Sequence, residues 1–144
     1  MNWRSRLIAP APRGVLRSTA FDVNPLFKQR VRGISEIISD IEQGRELTRY
    51  LSRTVRVGFA LPRDPRQKHL GRRQDLDLLL NDWGIHHLHV STQVESDGFV
   101  RRDGPIIFAI FKPNLAYLID IMKHGDWACE HMIRVIVDTW PNER

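Results

Sequence analysis

Trp83-Gly-Ile-His-His-Leu-His-Val90 is the stretch on which the reading of this 144-residue chain turns. A strand over residues 85–91 sends successive side chains to opposite faces. His86, Leu88 and Val90 then point one way, and Ile85, His87, His89 and Ser91 the other. Leu88 and Val90 mark the core face, which leaves His87 and His89 side by side on an open face. Two imidazoles at i and i+2 on a rigid strand suit acid–base work, because their ordinary pKa lies near working pH. They equally suit metal ligation.

Downstream, two further strands are predicted at 105–111 and 115–122. Asp97-Gly98 and Asp103-Gly104 supply turns before the first, and Pro113-Asn114 makes a tight connection between them. Asp126 caps a final helix that runs to about Trp140 and stops at Pro141. Glu130, Arg134 and Asp138 form its solvated stripe, and the remainder is apolar enough to require burial. Upstream, Leu76, Leu79, Leu80 and Trp83 predict a helix over 74–83, with Gly84 as its stop.

Asn24-Pro25 is a strong helix start, with Asn as N-cap and Pro at the first helical position. Phe27, Val31, Ile34, Ile38 and Ile41 follow at spacings of 4, 3, 4 and 3 as one apolar stripe, which Gly44 kinks or breaks. A short helix over 45–53 carries Leu47, Tyr50 and Leu51, and the alternation of Val55, Val57 and Phe59 suggests an extended piece. The expected architecture is α+β, an N-terminal helical part followed by a small antiparallel β-meander closed by a C-terminal helix. Its segments are a basic irregular arm (1–24), a helical part (25–60), a basic loop (61–73) and a histidine-bearing α+β domain (74–144).

An apolar fraction of 42% and a charged fraction of 27% are those of a folded protein, not a disordered one. One cysteine, Cys129, excludes an internal disulfide framework and any multi-cysteine zinc site, and it reads as a small core residue. There is no run of 18 apolar residues, so no membrane partner is expected, and no apolar stretch suits a secretory signal. The default location is the cytoplasm of a bacterium. The net charge of +5 is unevenly distributed. Residues 1–73 hold 16 Lys and Arg against 6 Asp and Glu; residues 74–144 hold 6 against 11, together with five of the six histidines. A basic half favours RNA or another polyanion as partner, although solvated arginine surface is the plainer reading of the same residues.

His124 follows the third strand in His-Gly-Asp-Trp127, where Gly125 permits a sharp turn and the helix start at Asp126 offers backbone N–H groups to an anion. In a meander the 85–91 and 115–122 strands are expected close enough for His124 to join His87 and His89. His131, one turn into the helix, is a possible fourth member. Arg101 and Arg102, between the first two strands, are placed to clamp a phosphate. Asp120 either orients a histidine or is a solvated edge residue. His86 and His69 read as structural or exposed, and Trp83, Trp127 and Trp140 as core anchors rather than base-stacking platforms.

The Trp-Gly-Ile-His-His-Leu-His and His-Gly-Asp-Trp patterns, with Ile-Ile-Phe-Ala-Ile between them and a final Trp-Pro, resemble a group of bacterial plasmid and mobile-element proteins of unknown function. The resemblance covers residues 75–141 and implies no activity. The layout alone is similar to the barnase–EndoU–colicin–RelE ribonucleases, with helices before an antiparallel sheet carrying His, Arg and Lys, and no motif aligns residue by residue.

These readings converge on a small phosphodiesterase, a ribonuclease of possible toxin type, that needs no cofactor. His87 or His89 would deprotonate a ribose 2′-hydroxyl, His124 would protonate the leaving oxygen, and Arg102 or Lys123 would stabilise the charged phosphorane. The alternative enzyme is a hydrolase with zinc or another divalent transition metal on His87, His89 and His124, joined by His131. The non-enzymatic alternative is a module whose basic half binds nucleic acid or an acidic protein.

Overall fold

The alternation around the histidines does form a strand. A computed structural model describes residues 7–51, 84–102, 104–123 and 129–141, apart from the side chains of Cys129 and Glu130. The expected loop 61–73, the helix 74–83, the extended piece at 55–59 and the helix start at Asp126 lie outside these residues.

Three strands follow one another as expected: β2 (Ile85–His89), β3 (Ile106–Phe111) and β4 (Leu115–Met122). β2 pairs antiparallel with β3, and β3 antiparallel with β4. The sheet is nevertheless mixed, not the purely antiparallel meander expected. Its fourth member, β1 (Gly14–Arg17), comes from the arm expected to be irregular and lies parallel on β4, giving the order β1-β4-β3-β2. The arm can do this because four residues, Gly14-Val-Leu-Arg17, follow its last proline, Pro12, and so have every N–H available.

After β1 come α1 (Thr19–Val23), α2 (Pro25–Gln29) and α3 (Val31–Gln43). Asn24 caps α2 as expected, accepting from the Leu26 N–H with Pro25 in the first turn. The single stripe over 27–41 is corrected to two helices. Arg30 leaves helical dihedrals (φ −124°, ψ 32°) and resets the phase. Val31 is therefore half exposed, and Ile37 joins Ile34 and Ile41 as the fully buried face. Of the helix expected over 45–53, only a 3₁₀ turn, Thr48–Tyr50, forms within the described residues. The C-terminal helix, here α4 (Cys129–Thr139), is present. Among the described residues no helix is long and apolar enough to cross a membrane.

Each face of the sheet has its own core. On one face Leu88, Val90, Ile107, Ala109, Leu118 and Ile121 pack with Ile34, Ile37 and Ile41 of α3. On the other Ile85, Ile106, Phe108 and Ile119 meet Met132, Val135 and Ile136 of α4. Burying one such isoleucine contributes about 2 to 3 kcal/mol, so the sheet is stabilised from both sides.

α3 is also locked at its C-terminal end. Asp40, 2% exposed, accepts hydrogen bonds from Arg45 (3.0 Å), Arg49 (2.5 Å) and the Tyr50 hydroxyl (2.5 Å). Burial alone would raise the Asp40 pKa. The Tyr50 and Arg45 hydrogen bonds and the two guanidinium charges outweigh it and hold the carboxyl below its ordinary value. The Tyr50 phenol is driven well above its usual range, first by burial and then by its bond to Asp40. Gly44 ends α3 in the left-handed region (φ 74°), and a Cβ there would lie 2.6 Å from the Pro12 nitrogen. Gly98 shares the positive φ (89°), but a Cβ there would meet nothing within 4 Å.

Two outcomes follow from this packing. Gly44→Ala should cost about 3 kcal/mol in urea unfolding, from strain plus collision, whereas Gly98→Ala should cost only the strain of about 1 kcal/mol. Asp40→Asn should lose about 2 kcal/mol at pH 7. Because the Asp40 pKa is depressed in the folded state, that difference is fully present above the unfolded carboxyl value near 4 and should shrink as pH falls below it, as paired urea titrations at pH 7 and pH 3 would show.

Candidate functional site

The site is built on β4. In Leu115-Ala-Tyr-Leu-Ile-Asp-Ile-Met122, Asp120 is the single charged residue of an otherwise apolar strand, and it is 5% exposed. A carboxylate so placed needs partners. Pairing with β3 slips by one residue there: Phe108 faces Asp120 and Ala109 faces Leu118, so Ile119 is an extra residue. Such a bulge re-aims the side chains beyond it. Regular alternation would turn Asp120 with Ala116 and Leu118 into the α3 core. The bulge instead brings Ile119 and Asp120 together on the face covered by α4.

On that face His131 of α4 meets Asp120, with Nε2 2.7 Å from Oδ2. The other carboxylate oxygen, Oδ1, accepts from the Asn24 side-chain amide (2.9 Å) and from the Ile121 N–H (2.8 Å). The Asn24 amide also donates to the Ile121 carbonyl (2.7 Å), while its oxygen caps α2. Ser18 completes the frame: its hydroxyl donates to the Ile119 carbonyl (2.5 Å) and accepts from the Phe21 N–H (2.9 Å). Asp120 is thus fixed on one oxygen by two donors and presents the other to an imidazole that is 43% exposed. An acceptor-only carboxylate of this kind orients a histidine by binding its Nε2–H. Nδ1 of that tautomer then carries the lone pair.

The expected histidines occupy the same face but a different place. His87 and His89 lie side by side as the alternation required, with ring centroids 5.9 Å apart. Their face is not open: His89 is 2% exposed and His87 half-buried. His86 is on the opposite face, edge-on to Phe111 at 5.7 Å. β2 and β4 are not neighbours. Across the sheet His87, Phe108 and Asp120 form one row, so two strand spacings, about 10 Å, separate His87 from Asp120, with a phenylalanine between them.

His124 and His69 lie outside the described residues. Arg102 is exposed in the β2–β3 connection, where Arg101 donates to the Gln93 side chain (2.7 Å), and Lys123 is exposed one residue beyond β4. Among the described residues no three His, Cys, Asp or Glu side chains are grouped as a metal ion requires. His131, expected as a fourth ligand, is held through Nε2 by Asp120.

Comparison with protein-family models, curated proteins and solved structures finds no match to this chain.

Sequence reasoning reads Asn24 only as a cap and leaves open whether Asp120 orients a histidine. The available signal is a lone acid in an apolar strand; its pairing with His131 depends on the bulge, which has no signature in the alternation. Asp120→Ala strands the Asn24 amide and the Ile121 N–H in a buried place and should cost about 2 kcal/mol in urea unfolding. His131→Ala removes a partly exposed partner and should cost under about 1 kcal/mol, so equal losses would contradict this division of labour.

Proposed function

We propose that the protein cleaves RNA phosphodiester bonds by general acid–base catalysis, with the Asp120–His131 pair as its base. One observation carries this reading: a buried carboxylate, held on one oxygen by Asn24 and the Ile121 N–H, grips Nε2 of an exposed imidazole with the other. Nδ1 of His131 takes the proton of a ribose 2′-hydroxyl, the 2′-oxygen attacks phosphorus, and the bond from phosphorus to the 5′-oxygen breaks. The leaving oxygen is protonated, and a 2′,3′-cyclic phosphate remains. Asp120 keeps the imidazole oriented and stabilises the imidazolium formed in the first step.

His131 replaces His87 and His89 as the base because it is the more exposed group and has a carboxylate behind it, whereas His89 is buried. His124 is the candidate acid that protonates the leaving oxygen, and exposed Lys123 and Arg102 are candidates for charge stabilisation of the phosphorane. The net charge of +5 and the excess of 16 Lys and Arg over 6 Asp and Glu in residues 1–73 support a polyanionic substrate. A ribose rather than a deoxyribose strand is required because the attacking group is the 2′-hydroxyl.

The test uses purified full-length protein and an end-labelled RNA, with products resolved on a gel. His131→Ala should lower the rate at least about 100-fold and Asp120→Asn by a smaller factor, consistent with removing a general base and its orienting group. A 2′-deoxy strand of the same sequence should survive, and EDTA should leave the rate unchanged. Full activity in His131→Ala sinks the assignment, and activity lost to EDTA favours the hydrolase with a metal on histidines. RNA bound in a salt-sensitive way but never cleaved leaves the binding module, the reading favoured by the basic half of the chain.

A further inference from the structure

The α2–α3 junction carries Lys28, Arg30 and Arg32 within five residues, and every residue from 28 to 32 is exposed. No acid occurs in the sequence between Asp22 and Glu36. Both flanking acids are engaged elsewhere, Asp22 with Arg17 (3.0 Å) and Glu36 with Arg49 (3.5 Å). Among the described residues no carboxylate lies within ion-pair distance of Lys28, Arg30 or Arg32. Arg30 sits where the helix breaks, which resets the direction of the residues that follow.

The position of this cluster is as informative as its charge. α2 begins at Asn24, whose amide holds both Asp120 Oδ1 and the Ile121 carbonyl. At 1.5 Å of helical rise per residue, Lys28 is about 6 Å along the α2 axis from Asn24, and Arg30 and Arg32 follow across the break. The cations therefore begin one helical turn from the residue that holds the Asp120 carboxylate.

We propose that Lys28, Arg30 and Arg32 form a phosphate-binding track that takes the backbone of a single-stranded nucleic acid next to the Asp120–His131 pair. The proposal rests on the RNA reading above. Long, exposed cations bind phosphates without reading bases. The nearest aromatic, Phe27, is half-buried, with the Arg17 guanidinium over its ring (5.6 Å) and Phe21 against its edge (5.2 Å), so it offers no stacking platform. The track confers affinity and placement, not sequence preference.

The experiment uses full-length protein in a His131→Ala background, so that binding is read without turnover. A fluorescent 12-mer oligouridylate is titrated by anisotropy across a range of sodium chloride concentrations. Adding Lys28→Gln, Arg30→Gln and Arg32→Gln together should weaken binding about tenfold or more at low salt. It should also flatten the log–log salt slope by about 2, as expected for three phosphate contacts on a single strand. The control Lys112→Gln, also exposed, should change the slope far less per charge removed. An unchanged slope and affinity in the triple variant overturn the proposal, as does an equal per-charge loss in the control or no binding by the parent protein. Displacement of the oligonucleotide by poly-L-glutamate at equal charge overturns the nucleic-acid assignment in favour of an acidic protein partner. Protein that binds through the track but whose wild type does not cleave RNA fails only the catalytic reading.

Discussion

Strand β4 has β3 along one side and, along the other, a chain that changes from strand to helix halfway. β1 pairs with Leu115–Leu118 and ends at Arg17. Beyond it the outer carbonyls of β4 still need donors, since an unpaired backbone group in the interior costs as much as a lost hydrogen bond. Ser18 supplies its N–H to Leu118 and its hydroxyl to Ile119, and Asn24 supplies its amide to Ile121. These contacts cross about a hundred residues of sequence and let a strand with a bulge sit inside the sheet. The same residues cap α1 and α2, so the start of the helical layer and the satisfaction of the strand edge are one event.

The candidate site is a consequence of that arrangement. The bulge turns Asp120 away from the α3 core, where nothing in the cluster of isoleucines could have received it, and toward α4. There it is met by His131, while Asn24 reaches it from the other side. A buried carboxylate is tolerable because its hydrogen-bonding capacity is used. The partner that uses it from α4 is the one group of the set that faces solvent, which gives the pair chemical access. His89 illustrates the opposite case: it lies on the same face of the sheet but is buried away from solvent.

The three C-terminal strands are legible because their signals are local: β-branched and aromatic runs with turn residues between them. The Asn24-Pro25 start is legible for the same reason. The stripe over 27–41 reads as one helix because spacing alone does not register a break at Arg30, where no glycine or proline stands. The arm reads as irregular because Val15 and Leu16 form a strand only with β4 beside them; a parallel pair has no local turn to announce it. The alternation of β2 correctly puts His87 and His89 together. It cannot say that the face is buried, which is decided by parts of the chain distant in sequence.

By itself the sequence determined the three C-terminal strands, the alternation of β2, the cap at Asn24 and the imbalance of charge between the two halves of the chain. Each depends on residues within a few positions of one another, where steric and hydrogen-bonding preferences act without the rest of the fold. Only the tertiary structure decided which face of the sheet each helix covers, that β1 lies parallel on β4, and that Asp120 belongs with His131 rather than with His87 or His89. The last of these turns on a one-residue slip between β3 and β4. A slip of that kind reverses every side chain beyond it, and its stability is set by donors from Ser18 and Asn24, far away in sequence.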